Sequence, residues 1–278
     1  MAPKTWFITG ASAGLGRHMT ELLLRRGDRV AATARRVHAL DDLHDSYAGQ
    51  LWVAHLDVTD TGELRNVVDA AFASLGRIDV VVSNAGSGLV GAAEEVTDDQ
   101  LRAQIDTNLI GPIQLARAVI AKFRAQGGGR IIQVSSMVPI AIPGLSLYHA
   151  GKWGIEGFWE AVIPEVAGFG ITVTLVQPGS ARTAWGASVT VAHAMAEYAD
   201  TPVAVRHAKA RDHRYAQRNP GDPVKMAQAI IDCADTPDAP RWLPLGSDAY
   251  RLIGEALRTR LAGLEAVRST TCATDAND

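Results

Sequence analysis

Residues 9–16 read Thr-Gly-Ala-Ser-Ala-Gly-Leu-Gly and stand between an apolar run and an amphipathic helical pattern. Gly10, Gly14 and Gly16 permit a tight turn with close backbone approach, and the N-terminus of the following helix attracts phosphate. A strand, a glycine-rich turn and a helix in this order are typical of proteins that bind a dinucleotide pyrophosphate. The spacing is G-x-x-x-G-x-G instead of the commoner G-x-G-x-x-G, so the turn alone also fits a purely structural role.

The same turn has a second interpretation. Residues 10–14 match G-x-S-x-G, the nucleophile elbow of α/β-hydrolases, with Ser12 as the nucleophile. In that fold the oxyanion-hole loop comes from an earlier strand, and only nine residues precede Gly10. The missing context argues against a serine hydrolase, which stays as a minor alternative.

Short apolar runs alternate with helical patterns along most of the chain. The runs are continuously apolar, which is typical of strands that are buried on both faces. Repetition of strand, helix and strand predicts a single α/β domain with a doubly wound, Rossmann-like parallel sheet of about seven strands. The predicted strands are 6–9, 30–33, 51–56, 80–82, 130–135, 171–176 and 242–245, and longer helices are predicted at 98–125 and 151–166.

The domain is expected to span residues 1–268. Residues 183–222 break the alternation of strands and helices, and so long an insertion predicts a mobile lid over a site. Residues 269–278 are small and polar and are expected to form a disordered tail.

Charge and composition limit the partners. Lys and Arg number 27 against 30 Asp and Glu, which leaves no basic excess to neutralise nucleic-acid phosphates. Cys233, Cys272 and the eight histidines show no metal-ligand spacing, so no metal is expected. Because the sequence has neither a signal-peptide pattern nor an apolar stretch of membrane-spanning length, we expect a cytoplasmic protein without membrane association. The acidic pair Glu94-Glu95 is expected to be exposed.

A second motif, Tyr148-His149-Ala150-Gly151-Lys152, carries acid–base chemistry. On a helix the phenol and the ammonium of residues i and i+4 lie on one face. A nearby positive charge favours the phenolate, so Lys152 is expected to lower the pKa of Tyr148. Tyr148 would then serve as an acid or base near neutral pH, unless the pair is an ordinary surface contact on a helix.

In these motifs the chain resembles the short-chain dehydrogenase/reductase family, in its shorter single-domain branch. The resemblance is strong over about residues 4–185 and rests on several motifs in the family's order and spacing. They are residues 9–16, Asn84-Ala85-Gly86, Asn108, Ser135-Ser136, Tyr148-x-x-x-Lys152 and Pro178-Gly179-x-x-x-Thr183.

The resemblance implies reversible hydride transfer between a nicotinamide cofactor and a carbonyl carbon, with Tyr148 as the general acid or base. Lys152 would bind the nicotinamide ribose and tune Tyr148. Ser136 would hold the substrate oxygen, and Asn108 would support a water relay behind Lys152. The residues implied to bind the cofactor are Gly10, Ser12, Gly14, Leu15, Gly16, Asp57, Val58, Asn84, Ala85, Gly86, Tyr148, Lys152, Pro178, Gly179 and Thr183. A catalytically silent dinucleotide-binding regulator is the alternative, against which the intact set of catalytic residues argues.

Two serines compete for the substrate oxygen, because successive strand side chains point to opposite faces. Counting back from Tyr148 by the family's usual separation selects Ser135, whereas the local pattern selects Ser136. We favour Ser136, because a loop absorbs a one-residue deletion more easily than a buried strand does.

The end of the second predicted strand favours NADP(H), with NAD(H) possible. An acidic residue there would hydrogen-bond to the ribose 2′-hydroxyl of NAD(H), whereas an arginine there would bind the 2′-phosphate of NADP(H). Here Arg35 and Arg36 follow the strand and no carboxylate precedes Asp41.

The expected substrate is an apolar ketone, aldehyde or secondary alcohol, such as a medium-sized ketone or a polycyclic alcohol. Its predicted pocket walls are Leu89, Val90, Ile140, Ile142, Leu145, Trp185 and Met195. By resemblance we expect a homodimer or homotetramer that pairs through helices 98–125 and 151–166. The second of these carries Trp153, Phe158 and Trp159, which fit either an interface or the chain's own core.

Overall fold

The structure is a computed structural model that describes residues 2–183, 189–212 and 214–276. Its strands are β1 (Thr5–Thr9), β2 (Arg29–Ala34), β3 (Leu51–His55), β4 (Val80–Ser83), β5 (Leu89–Val90), β6 (Gly129–Val134), β7 (Ile171–Pro178), β8 (Thr190–Val191) and β9 (Trp242–Leu245). Its helices are α1 (Gly14–Arg26), α2 (Asp41–Ser46), α3 (Thr61–Leu75), α4 (Asp98–Ile105), α5 (Gly111–Ala125), α6 (Ser146–Val166), α7 (Pro202–Arg211), α8 (Pro223–Asp235), α9 (Ser247–Ala266) and α10 (Arg268–Cys272). A π-helical turn, Asp106–Ile110, joins α4 to α5 without a break.

Seven strands form one parallel sheet in the order β3-β2-β1-β4-β6-β7-β9. From β1 the chain adds β2 and β3 on one side, and it then adds β4, β6, β7 and β9 on the other side. The chain therefore reverses between β1 and β4, and a crevice opens at the carboxyl ends of these two strands. The predicted doubly wound α/β fold and its seven strands are confirmed, with shifts of one or two residues at their ends.

Two apolar layers cover the faces of the sheet. On one face Trp6 and Ile8 of β1 pack with Met19 of α1 and with α8. On the other face Phe7 packs with α3, α5 and α6, whose Trp159 is fully buried. Burying one such large side chain stabilises the fold by about 1.5–3 kcal/mol, so the central strands are held from both sides.

The aromatic side chains of α6 face the chain itself. Trp159 lies in the core, and Phe158 packs against the same core. Trp153 is half-buried beneath the guanidinium of Arg260 on α9, which lies 4.3 Å from its ring centroid. Of the two interpretations of this aromatic group, packing within the chain accounts for these contacts.

The segment predicted as a lid is anchored to the body of the domain in its described part. β8 pairs in parallel with β5, forming a second, two-stranded sheet. The buried carboxylate of Glu95 accepts hydrogen bonds from the backbone N–H groups of Ala92 (2.7 Å) and Met195 (2.8 Å). It also contacts Nε2 of His207 on α7 at 2.8 Å. The expectation that Glu95 is exposed is therefore wrong, because its partners compensate the cost of burying the charge.

The C-terminal segment contains regular structure. α9 is followed by α10, although the sequence predicted disorder from residue 269 onward. The side chains of α10 are exposed, and its backbone groups close helical hydrogen bonds such as that from Thr271 N to the Val267 carbonyl. Within the described residues, every helix is too short or too polar to cross a membrane.

Candidate active site

The glycine-rich turn lies at the carboxyl end of β1. Gly10 and Gly14 adopt positive φ angles of 68° and 55°, which favour glycine. A side chain at position 16 would bring its Cβ within 2.4 Å of the Gly10 carbonyl oxygen, so only glycine lets α1 start this close. Ala13, the N-cap residue, offers no side-chain oxygen to the first amide groups of α1. The turn therefore fits a bound pyrophosphate, which would accept hydrogen bonds from those amides.

Ser12 and Leu15 occupy different surroundings in this turn. Ser12 is half-buried within the turn, whereas Leu15 packs its side chain against the core layer around α1. Leu15 can therefore offer a ligand only its backbone N–H group.

Asn84 fastens the end of β4 to the turn. Its Nδ2 donates hydrogen bonds to the carbonyl oxygens of Thr9 (2.9 Å) and Gly10 (3.1 Å). The backbone N–H groups of Asn84 and Ala85 both donate to Oγ1 of Thr9, at 3.0 and 3.1 Å. The side chain of Asn84 thus ties the end of β4 to the glycine-rich turn after β1, on the two sides of the crevice.

Asn108 occupies the π-helical turn and is fully buried. Its amide forms two hydrogen bonds with Ser87, donating to the carbonyl oxygen (2.8 Å) and accepting from the N–H group (2.9 Å). A Cβ on Gly86 would lie 3.1 Å from Asn108 Oδ1 and 3.5 Å from Lys152 Nζ. A Cβ on Gly151 would lie 2.9 Å from the Asn108 Cβ. Two glycines therefore let Asn108 and Lys152 approach each other.

Tyr148 and Lys152 lie one turn apart on α6, with Lys152 Nζ 6.0 Å from the Tyr148 ring centroid. Lys152 is buried and donates a hydrogen bond to the carbonyl oxygen of Val134 (2.9 Å). Desolvation lowers the pKa of Lys152 to about 8, against the opposing influence of Glu156. Desolvation also raises the pKa of Tyr148, and a hydrogen bond with Ser136 offsets the rise only in part. The expected lowering of this pKa is therefore wrong, because desolvation outweighs the other influences on the phenol.

The two serines after β6 point in different directions. Ser136 hydrogen-bonds to the Tyr148 hydroxyl group. Ser135 is 3% exposed and donates a hydrogen bond of 3.5 Å to the carbonyl oxygen of Lys152, and its hydroxyl group also interacts with the carboxyl group of Glu156. The geometry thus brings Ser136, and not Ser135, beside Tyr148.

Pro178, Gly179 and Thr183 follow the neighbouring strand. Pro178 ends β7, and a Cβ on Gly179 would meet Asp248 Oδ1 at 2.1 Å. Thr183 faces the glycine-rich turn, where its Cβ would lie 3.7 Å from a Cβ on Gly14. This segment therefore borders the same crevice as β1.

The residues predicted to contact the adenosine end lie at the edge of the crevice. Arg35 and Arg36 follow β2 and are exposed. Arg35 Nη1 lies 3.9 Å from Asp57 Oδ2, while Thr59 donates two hydrogen bonds to the other oxygen of this carboxylate. Burial of Asp57 opposes ionisation, but the bonds from Thr59 and the charge of Arg35 hold its pKa below the usual value. Val58 packs against the core.

The structure does not bring all the predicted pocket walls together. Leu89 and Val90 form β5 and are buried. Ile140 is buried in a separate cluster with Ala249 of α9. Ile142 is only partly buried and lines a cavity beside the segment that includes Thr201 and α7. Trp185 lies outside the described residues.

Sequence reasoning missed the buried carboxyl group of Glu95 and the half-buried carboxyl group of Glu156. Glu156 follows Lys152 by four residues, and this helical spacing was a signal that could have identified it. For Glu95 no local signal exists, because its partner His207 is 112 residues away.

A doubly wound sheet with a glycine-rich turn at its topological switch point defines a dinucleotide-binding α/β protein. Residues 4–193 match the short chain dehydrogenase family, and the chain belongs to this family. The "Oxidoreductase BOA17" of Botryotinia fuckeliana is 35% identical over 273 residues, covering 97% of this chain and 98% of its own length.

Two solved structures extend the comparison. A short-chain dehydrogenase from Streptomyces avermitilis superimposes with a TM-score of 0.90, at 36% identity over 99% of both chains. A metagenomic short-chain oxidoreductase in complex with NADP gives a TM-score of 0.60, at 31% identity over 64% of this chain and 83% of its own. The protein is therefore an NAD(P)-dependent dehydrogenase or reductase, and the hydrolase interpretation of Ser12 is not supported.

Proposed function

We propose that the protein reversibly reduces ketones or aldehydes to alcohols with NADP(H), using Tyr148 as the general acid and base. The observation that carries this proposal is the grouping of Ser136, Tyr148 and Lys152 at the carboxyl ends of the strands. The glycine-rich turn lies at the same edge of the sheet, so a carbonyl group beside Tyr148 would lie next to a cofactor held by that turn.

The bound cofactor supplies the hydride that goes to the carbonyl carbon. Tyr148 donates its hydroxyl proton to the carbonyl oxygen, and Ser136 donates a hydrogen bond to the same oxygen. The ammonium of Lys152, held by the Val134 carbonyl, stabilises the phenolate that remains. Asn108 is fixed by Ser87 and supports α6 from behind.

The preference for NADP(H) follows from Arg35 and Arg36. Both guanidinium groups are exposed at the end of β2, where the ribose 2′ position of a bound dinucleotide would lie. Asp57, the nearby carboxylate, lies 3.9 Å from Arg35 and accepts hydrogen bonds from Thr59. A 2′-phosphate would meet positive charge here, which a 2′-hydroxyl does not need.

The substrate side of the crevice is formed by β5, β8 and the segment that follows. Its buried residues Leu89 and Val90 support an apolar substrate. The predicted lid, in its described residues 189–212 and 214–222, would cover the site while held to the domain through Glu95. Residues 184–188 and 213 of the predicted lid lie outside the described residues. We further propose a cytoplasmic homodimer or homotetramer.

A panel of carbonyl compounds tests the reaction. Purified protein is given NADPH or NADH with medium-sized ketones, aldehydes and polycyclic ketones, and nicotinamide absorbance is followed together with alcohol formation. We expect turnover of apolar ketones with a higher kcat/KM for NADPH than for NADH. NADPH consumption without alcohol product, or equal kcat/KM for both cofactors, would contradict the respective part of the proposal.

A further inference from the structure

Glu156 is a carboxyl group in the interior of the site, one helical turn beyond Lys152 on α6. Both of its oxygens accept hydrogen bonds from Nε2 of Gln177, at 3.1 and 3.0 Å. The hydroxyl group of Ser135 also interacts with this carboxyl group. Ser135 and Gln177 are themselves 3% and 5% exposed, so these bonds form away from solvent.

The single hydroxyl hydrogen of Ser135 has two acceptors within reach. The carbonyl oxygen of Lys152 is 3.5 Å away, at the limit of hydrogen bonding. The hydroxyl group also interacts with the carboxyl group of Glu156, which is the stronger acceptor when it is ionised. Nε2 of Gln177 also lies 3.3 Å from the carbonyl oxygen of Val138. Its two amide hydrogens can therefore be shared between this carbonyl and the carboxyl group of Glu156.

The three linked residues belong to three segments that form the site. Ser135 directly precedes Ser136, which hydrogen-bonds to Tyr148. Gln177 directly precedes Pro178, where β7 reaches the crevice. Glu156 therefore joins the end of β6 and the end of β7 to α6. An apolar residue in its place would leave Ser135 and Gln177 with only the long contacts to the carbonyl oxygens of Lys152 and Val138.

Glu156 also influences Lys152 through its charge. Burial raises the pKa of Glu156 to about 7, and the hydrogen bonds from Ser135 and Gln177 and the charge of Lys152 oppose the rise. The charged groups that act on this carboxyl are Lys152 and Glu160, both on α6, while Ser135 of β6 and Gln177 of β7 are neutral. Above pH 7 the carboxylate is ionised and favours the ammonium form of Lys152.

We propose that Glu156 is a positioning residue of the reaction, which ties the ends of β6 and β7 to α6 and opposes the charge of Lys152. This inference rests on the proposed function for its kinetic consequences. Its electrostatic part concerns the chain alone and can be measured in the cofactor-free protein.

Three variants separate the two roles. Glu156→Gln removes the charge and keeps an acceptor oxygen. Glu156→Asp keeps the charge and shortens the side chain, so that it no longer reaches Gln177 and Ser135 together. Glu160→Gln is the matched control, because Glu160 lies one turn further along α6, is exposed and pairs with Arg241 at 3.2 Å.

The first measurement is the titration of Lys152 by NMR in cofactor-free protein with carbon-13-labelled lysine. The chain has only five lysines, so the Lys152 signal can be assigned by substitution. We expect Lys152 to titrate near pH 8 in the parent, in Glu160→Gln and in Glu156→Asp. In Glu156→Gln its titration should move down by about one pH unit, the low end of the effect of a nearby opposite charge.

The second measurement is the pH profile of carbonyl reduction, with NADPH affinity measured by protein fluorescence. A shift of about one unit makes Glu156→Gln roughly tenfold slower than the parent at pH 9 and nearly equal to it at pH 6. In Glu156→Asp the rate should fall at alkaline pH with the same apparent pKa as in the parent, because the charge is kept. Its kcat should be lower than that of the parent by about the same factor at every pH, and it should bind NADPH several-fold more weakly.

The outcomes are decisive in both measurements. An unshifted Lys152 in Glu156→Gln, or an equal shift in Glu160→Gln, overturns the electrostatic role. Parent-like kcat and NADPH affinity in Glu156→Asp overturn the positioning role, and this variant also serves if Glu156→Gln fails to fold. If the unaltered protein reduces no carbonyl compound, the proposed function fails while the NMR titration still decides the electrostatic role.

Discussion

The two serines after β6 allow a sharp test, because each makes a different contact. Ser136 lies beside the Tyr148 hydroxyl group, where we propose that it holds the substrate oxygen, whereas Ser135 lies deeper in the protein, near Glu156 and the Lys152 carbonyl. Loss of one donor to a developing oxyanion slows an enzyme by about 10²–10³-fold, equivalent to about 2.7–4 kcal/mol. We therefore expect Ser136→Ala to lose at least a hundredfold in kcat/KM with its fold intact.

Ser135→Ala should behave in the opposite way. It removes one of the polar partners of the half-buried carboxyl group of Glu156, which costs about 1–3 kcal/mol of unfolding free energy. In a chain of this size each kcal/mol lowers Tm by about 2–4 °C. Because Gln177 still holds Glu156 through both oxygens, the loss in kcat/KM should stay below about tenfold.

The assay measures kcat/KM of both variants well below their melting temperatures, with circular dichroism as the folding control. Each variant is the matched control of the other, because both remove one hydroxyl group from adjacent positions. A hundredfold loss in Ser135→Ala beside parent-like activity in Ser136→Ala would refute the assignment and place the functional serine one residue earlier.

Three further predictions concern the cofactor and the assembly. Arg35→Ala should weaken NADPH binding by roughly 10–150-fold, because it removes a charged hydrogen bond of about 1.5–3 kcal/mol, and should leave the affinity for NADH unchanged. Equal effects on both cofactors in fluorescence titrations would contradict this. Gly16→Ala should weaken both cofactors, because its Cβ would lie 2.4 Å from the Gly10 carbonyl oxygen; unchanged Kd values would show that the turn does not hold the pyrophosphate. Light scattering at micromolar concentration should give the mass of a dimer or tetramer, and a monomeric mass would end the proposal of a homo-oligomer.

Much of the fold could be predicted because its strands are buried on both faces. In β4 every side chain is buried, and its apolar run Val80–Val82 is recognised without alternation. The two-residue strands β5 and β8 could not be found in this way. Two residues carry no periodicity, and their pairing depends on segments about a hundred residues apart.

The site was predictable where chemistry dictates residue type and spacing, and not where burial decides. Tyr148 and Lys152 follow from the helical spacing of a phenol and an ammonium. The direction in which the pKa of Tyr148 is shifted could not be predicted from this spacing, because desolvation depends on the surrounding packing. Ile140 appeared as a pocket wall for a similar reason: an apolar side chain shows that it will be buried, but not by which element. Here that element is α9, far along the chain.

The central claim is that Tyr148 exchanges the proton of the reaction, and Tyr148→Phe tests it most directly. The substitution keeps the ring and removes only the hydroxyl group. With a ketone that the parent reduces, single-turnover oxidation of bound NADPH should slow by about 10²–10⁴-fold, the usual contribution of general acid–base catalysis. NADPH affinity should stay nearly unchanged, which serves as the folding control. A Phe variant that reduces the ketone at close to the parent rate would contradict the claim.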